Sequence, residues 1–163
     1  MRLEGKPVDY NYQEAMKLSN QLCFPLYAAA RSVINLYTPY LKPLGLTYTQ
    51  YIVLLVLWEK KTATVGELCD TLMLDNGTLT PLLKKLQTAG YIDRRRSEKD
   101  GRVVVISLTE AGKDLQIQAR DIPLKVGSCL DLPQEKAQTL YELLYELLNS
   151  QNKQEEQGKG IPG

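Results

Sequence analysis

The hydrophobic period of this 163-residue chain changes at Gly90, and no other feature limits its fold as strongly. Upstream of that point apolar residues recur at helical spacing. Downstream, Tyr91-Ile92-Asp93-Arg94-Arg95-Arg96 and Val103-Val104-Val105-Ile106-Ser107-Leu108 are two short strand candidates, joined by SEKDGR, a charged hairpin tip containing Asp-Gly. Thr109-Glu110-Ala111-Gly112 then restarts a helix. The expected fold is mainly α with a small β-hairpin.

The helices before Gly90 carry their own start signals. Thr47-Tyr48-Thr49-Gln50 has the form of a capping box and opens an apolar helix through Trp58. Thr64 caps VGELCDTLM, in which Val65, Leu68, Cys69 and Leu72 recur at helical spacing, so Cys69 reads as a core residue. Asp75 caps NGTLTPLLKKLQTA, and Gly90 suits the left-handed residue that follows a helix. Further upstream, Ser19 is the expected N-cap of a helix running to about Thr38, because Pro39 pushes its predecessor toward extended geometry. Near the other end, Leu132-Pro133 places proline at a first helical position, and Leu140, Leu143, Leu144, Leu147 and Leu148 form an apolar face. Residues 150–163 are polar and read as a disordered tail.

Helix, turn, helix and basic hairpin, in that order over residues 47–108, is the plan of a winged helix-turn-helix. In its second helix Leu79, Leu82, Leu83 and Leu86 share one face, leaving Asn76, Gly77, Thr78, Thr80, Pro81, Lys84 and Lys85 around the other. Short hydroxyl and amide side chains can approach base edges in a major groove while lysines reach phosphates. With 20 basic residues, 19 acidic ones and no histidine, the net charge of +1 favours no partner by itself. Its distribution does. From Lys84 to Arg102 seven basic residues stand against three acidic ones, a local +4 that includes Arg94, Arg95, Arg96 and Arg102. Double-stranded DNA is therefore the expected partner.

Other classes are argued against by what the sequence lacks. Three cysteines without a C-x-x-C pair, and without histidine, do not suit a metal site or a fully oxidised scaffold, and no motif calls for a cofactor. The N-terminus MRLEGKPVDYNYQEAMK is too polar for a signal peptide, and the most apolar run, Tyr51 to Trp58, is far shorter than a bilayer span. A cytoplasmic protein with no membrane role and with reduced thiols is expected.

The stretch SNQLCFPLY puts Cys23 two residues before a proline in an expected helix. Lone cysteines are usually small buried apolar side chains, so packing is one reading. Chemistry is the other: near a helix start the positive end of the dipole suits an anion, and Pro25 costs little there. Tyr27 and Tyr37 lie about 40° either side of Cys23 on a helical wheel, so the three share a face. Fourteen residues of helix hold Tyr37 ~21 Å from Cys23, which excludes contact within one chain. An antiparallel partner helix about a two-fold axis would bring them together, with Tyr48 at the same corner.

Leu74 to Leu86, LDNGTLTPLLKKL, followed by GYIDRRRSEKDGRVVVISLTEAG with its D-x-R element at Asp100 and Arg102, resembles the MarR family of bacterial regulators. Within that family, NQLCFPLYAAAR and LTYTQYIVLLVLWE resemble the organic hydroperoxide resistance repressors. The resemblance implies one MarR-like unit over 1–163, a winged helix-turn-helix at 47–108, and dimerisation helices at 19–46 and 109–149. It implies a bacterial, cytoplasmic homodimer that binds operator DNA when reduced and releases it when an organic hydroperoxide oxidises Cys23, with Tyr27, Tyr37 and Tyr48 in the sensing pocket. Some members of the group carry a second cysteine in the C-terminal region that forms an intersubunit disulfide, and Cys129 fits that region. Two alternatives stay open: a MarR-like repressor released by a small aromatic ligand with Cys23 structural, and a thiol peroxidase. The latter lacks the expected strand context around its cysteine.

Overall fold

The computed structural model describes residues 11–158 of the chain, with side chains described through residue 150. They form two compact units, one ending at Val126 and the other beginning at Gly127, where GSCLDLP interrupts helical structure. The first unit contains α1 (Tyr12–Ala15), α2 (Cys23–Leu41), α3 (Tyr48–Lys60), β1 (Thr62–Thr64), α4 (Val65–Leu72), α5 (Asn76–Thr88), β2 (Ile92–Arg96), β3 (Val104–Leu108), α6 (Glu110–Ala119) and α7 (Ile122–Gly127), whose last residue opens the second unit. The second unit is dominated by α8 (Gln134–Gly158). The mainly helical class with a small antiparallel sheet is as expected.

Local chemistry starts α3 and α4 where the sequence signals it. Thr47 and Gln50, and again Thr64 and Glu67, form reciprocal capping boxes at α3 and α4. Gly90 follows α5 at a φ of +78°, the left-handed geometry a glycine adopts without strain. The core of the first unit then assembles from one face of each element. Leu54 and Leu57 of α3, Leu68 of α4, Leu79, Leu83 and Leu86 of α5, and Ile106 of β3 are all fully buried. Cys69 is half-buried against this core, as its helical register predicts.

The sheet has the order β1-β3-β2 and is antiparallel throughout. The hairpin pairs Ile92 with Leu108 and Arg96 with Val104, close to the expected strands. β1 is a third strand that the sequence does not signal. It pairs Thr62 with Ser107 and Thr64 with Val105, because the outer edge of β3 offers backbone partners to three residues too few to show alternation.

Four boundaries differ from expectation. Ser19 is not the N-cap of α2: it lies in a 3₁₀ turn, Leu18–Asn20, and Leu22 occupies the cap position. Asn20 donates its amide to the Glu14 carbonyl at 2.8 Å, and Gln21 donates to the Ala15 carbonyl, so these side chains hold the segment against α1 and out of the helix. Nor does α2 stop at Thr38. It runs through Pro39 to Leu41, because burying Leu41 and packing Tyr37 and Tyr40 on the core outweigh the local preference of a residue before proline. Pro133 lies just outside α8, its carbonyl accepting the Ala137 N–H at 3.0 Å. Finally, α8 continues to Gly158 through the expected tail, since Gln, Lys and Glu extend an existing helix at little cost. Residues 159–163 of that tail lie outside the described residues.

Candidate nucleic-acid interface and thiol corner

The start of α5 is held by one carboxylate. Asp75 accepts the Thr78 backbone N–H at 2.9 Å and the Thr78 hydroxyl at 2.7 Å, and these bonds hold its carboxyl below the ordinary aspartate range. Gly77 makes room for it, since a Cβ there would stand 2.9 Å from Asp75 Oδ1. With Leu79, Leu83 and Leu86 buried, Asn76, Gly77, Thr78, Thr80, Pro81, Lys84 and Lys85 are all exposed. The outward face therefore has the small, polar and basic composition expected of it.

The hairpin tip is organised around a second carboxylate. Asp100 accepts the Arg102 backbone N–H at 2.9 Å, Nε at 3.2 Å and Nη2 at 3.3 Å, which keeps the Asp100 carboxyl low and aims the guanidinium. The Arg102 side chain is nevertheless 93% exposed. Arg95 and Arg96 are also exposed, whereas Arg94 is half-buried. Arg94 stands opposite Ile106 in the register, and Ile106 opposite Ala63, so its stem runs across the core-facing side of the sheet. Its Nε is buried and has no hydrogen-bond partner among the described residues.

Cys23 is the first residue of α2 and is exposed. It stands among apolar side chains that are exposed as well: Leu22 (77%), Phe24, Leu26 and Tyr27 (62%). Tyr37, on the same helix, is not near Cys23 but packs on Tyr48, with ring centroids 4.9 Å apart. Tyr51 extends this row at 5.8 Å from Tyr37, and Trp58 follows at 6.0 Å from Tyr51. Burial, and secondarily the neighbouring Tyr37 phenol, raises the pKa values of Tyr48 and Tyr51, so both hold their protons and can donate them in hydrogen bonds. Tyr51 is a member of this row that the wheel of α2 alone does not reveal. Its signal is its place one helical turn after Thr47, at the start of α3. Cys129, in the second unit, is exposed in the turn that follows α7.

Among the described residues, no group of three or more His, Cys, Asp or Glu side chains is placed to hold a metal ion, and no helix is long and apolar enough to cross a membrane.

Comparison with known proteins places this arrangement. Residues 35–118 match the family model for the transcriptional regulator SarA/Rot. The organic hydroperoxide resistance transcriptional regulator of Bacillus subtilis (strain 168) is 48% identical over 143 residues, covering 86% of this chain and 95% of the relative. Among solved structures, reduced AbfR bound to DNA is similar with a TM-score of 0.70 and 37% identity, covering 85% of this chain and 97% of that one. AbfR is a protein of Staphylococcus epidermidis. Its disulfide form is similar with a TM-score of 0.59, at 37% identity, over 84% of this chain and 96% of that one.

Proposed function

The chain belongs to the MarR family of transcriptional regulators, in its organic hydroperoxide resistance and SarA/Rot branch, and we propose that it is a redox-sensing repressor that binds operator DNA as a homodimer and releases it when Cys23 is oxidised. The observation that carries this reading is an exposed thiol at the first residue of α2, set in exposed apolar side chains, on a chain that also presents a basic outward helix face and wing. An apolar hydroperoxide suits such surroundings. Residues 47–108 form the DNA-binding part, and 19–46 and 109–149 supply the dimerisation helices. The place of action is the bacterial cytoplasm, where the DNA is.

In this reading α5 enters successive major grooves, and the hairpin bearing Arg102 approaches a minor groove, with half-sites roughly 10 bp apart centre to centre. Thr78 and Thr80 face base edges. Lys84, Lys85, Arg94, Arg95 and Arg96 face phosphates, Arg94 through the outer end of its guanidinium. Thr80→Ala is expected to change sequence preference, whereas Lys84→Ala weakens binding to all duplexes and lowers the salt slope by about 1. Titrations against specific and random duplexes at several salt concentrations check this, and equal behaviour of the two variants would refute the division of roles.

The chemistry is stoichiometric. The Cys23 thiolate attacks the O–O bond of ROOH, giving Cys23–SOH and, after protonation, ROH. The thiolate of the partner's Cys129 then attacks that sulfur and displaces hydroxide, which leaves as water, forming an intersubunit disulfide. A disulfide requires Cα atoms about 4.4–6.8 Å apart, a constraint that repositions the joined elements and spoils the half-site spacing. Tyr37 and Tyr48 of one subunit donate to the Cys23 sulfur of the other. The protein is a sensor and not an enzyme: each thiol turns over once. Oxidised protein is expected to run as a covalent dimer on non-reducing gels, with a Cys23–Cys129 peptide found by mass spectrometry; Cys23 oxyacids alone would leave a one-cysteine sensor.

The deciding experiment is a DNA titration with and without cumene hydroperoxide, repeated after adding dithiothreitol. Release that dithiothreitol reverses supports thiol sensing. Release by small aromatic acids, with no response to the hydroperoxide, would point to a ligand-gated repressor.

A further inference from the structure

The first turn of α5 contains two polar side chains whose hydrogen-bonding capacity is partly consumed inside the protein. A threonine hydroxyl has one hydrogen to donate and two lone pairs to accept with. The Thr78 hydrogen is committed to Asp75 Oδ2 at 2.7 Å. Asp75 can only accept, because its carboxylate is held ionised by the bonds it receives. Nor is it free to turn away: its other oxygen takes the Thr78 backbone N–H at 2.9 Å, beside the space that Gly77 leaves open. A charge-assisted bond of this kind is roughly twice as strong as a neutral one, so a base carbonyl does not compete well for that hydrogen.

One residue from the cap, the Asn76 amide is oriented as well. The Cys69 thiol, half-buried against the core from α4, lies 3.5 Å from Asn76 Oδ1 and donates to it. One lone pair of the amide oxygen is thereby taken and the amide is oriented, while Asn76 itself is exposed and keeps both hydrogens of Nδ2 for solvent or a ligand.

We propose that Asp75 and Cys69, as positioning residues, set the hydrogen-bond polarity of the DNA-reading surface: Thr78 offers only an acceptor, and Asn76, its oxygen turned toward Cys69, presents its donors. Thr78 then selects a base with an exocyclic amine in the major groove, adenine N6 or cytosine N4, and discriminates against guanine O6 and thymine O4. Asn76 selects an acceptor, such as a purine N7 or a carbonyl oxygen. This inference rests on α5 being the helix that reads DNA, and goes beyond that reading by naming the chemical class of base at two positions.

The test uses the reduced full-length protein and its preferred duplex, selected from a randomised pool, with affinities measured by fluorescence anisotropy. Each adenine or cytosine in the half-site is replaced in turn by its analogue with hydrogen in place of the amino group. One such replacement is expected to weaken the parent protein roughly fivefold, the worth of one neutral hydrogen bond. That same replacement should leave Thr78→Val unaffected, while Thr78→Ser keeps the parent's sensitivity. Asp75→Asn retains a capping side chain but donates to the Thr78 oxygen, freeing the hydroxyl hydrogen; its preference for the amino-bearing base over a carbonyl-bearing one should fall at least about threefold. Cys69→Ala should relax selection at a different base, and Cys69→Ser should preserve it. If the base coupled to Thr78 is guanine or thymine, or if Asp75→Asn keeps the parent's preference at every position, the inference is overturned. A parent protein that selects no duplex over random DNA would instead overturn the assignment of α5 itself.

Discussion

Cys23→Ser is expected to bind operator DNA as tightly as the parent protein and to stay bound when an organic hydroperoxide is added. A serine hydroxyl has nearly the volume of the thiol and, at the exposed first residue of α2, disturbs no buried contact. What it cannot do is cleave the peroxide bond and enter the sulfenic acid to disulfide sequence. The expected change is therefore complete loss of the response, not a shift in its midpoint. Tyr37→Phe and Tyr48→Phe, which preserve ring packing at 4.9 Å while removing a donor, should slow the response without abolishing it. Anisotropy titrations before and after hydroperoxide measure both effects. A Cys23→Ser protein released like the parent would remove Cys23 from the mechanism.

Gly112→Ala is expected to lower stability by about 3 kcal/mol, with a thermal midpoint lower by about 10 °C. A Cβ at residue 112 would stand 2.1 Å from the Tyr91 carbonyl oxygen and 3.1 Å from Leu108 Cδ2. Neither side yields easily. The Tyr91 carbonyl accepts the Thr109 N–H at 3.1 Å, Thr109 Oγ1 donates to the Gly90 carbonyl at 2.6 Å, and the Gly112 carbonyl accepts Trp58 Nε1 at 2.9 Å. These bonds lock the start of α6 to α3 and to the point where the chain leaves α5 for the hairpin. Urea melts of the two proteins at equal concentration check the loss, and a difference below about 0.5 kcal/mol would mean that the close approach relaxes freely.

Much of the candidate DNA surface is legible in the sequence, because its determinants are local. The bonds that start α3, α4 and α5 join residues three positions apart, and Gly90 ends α5 through its own φ, so the residue types on the chain specify them. The leucine face of α5 follows from helical periodicity alone, and the exposure of Thr78, Thr80, Lys84 and Lys85 is its complement. At the two ends of α2, groups beyond the local motif decided. Ser19 gave way because Asn20 and Gln21 reach carbonyls six residues back, and Pro39 stayed helical because Leu41 is worth burying.

Spacings of a few residues along the chain were enough for the fold class, the starts of α3, α4 and α5, the outward face of α5 and the basic hairpin. Four other features came from contacts between distant parts of the chain, made by the folded molecule. It paired Thr62–Thr64 with the free edge of β3 and set Tyr37 against Tyr48 and Tyr51. It also withdrew the Nε of Arg94 from water and oriented Asn76 through Cys69. Each of these is a contact between segments whose approach is fixed by the packing of the whole core, and close packing leaves no slack in which a local preference could choose otherwise.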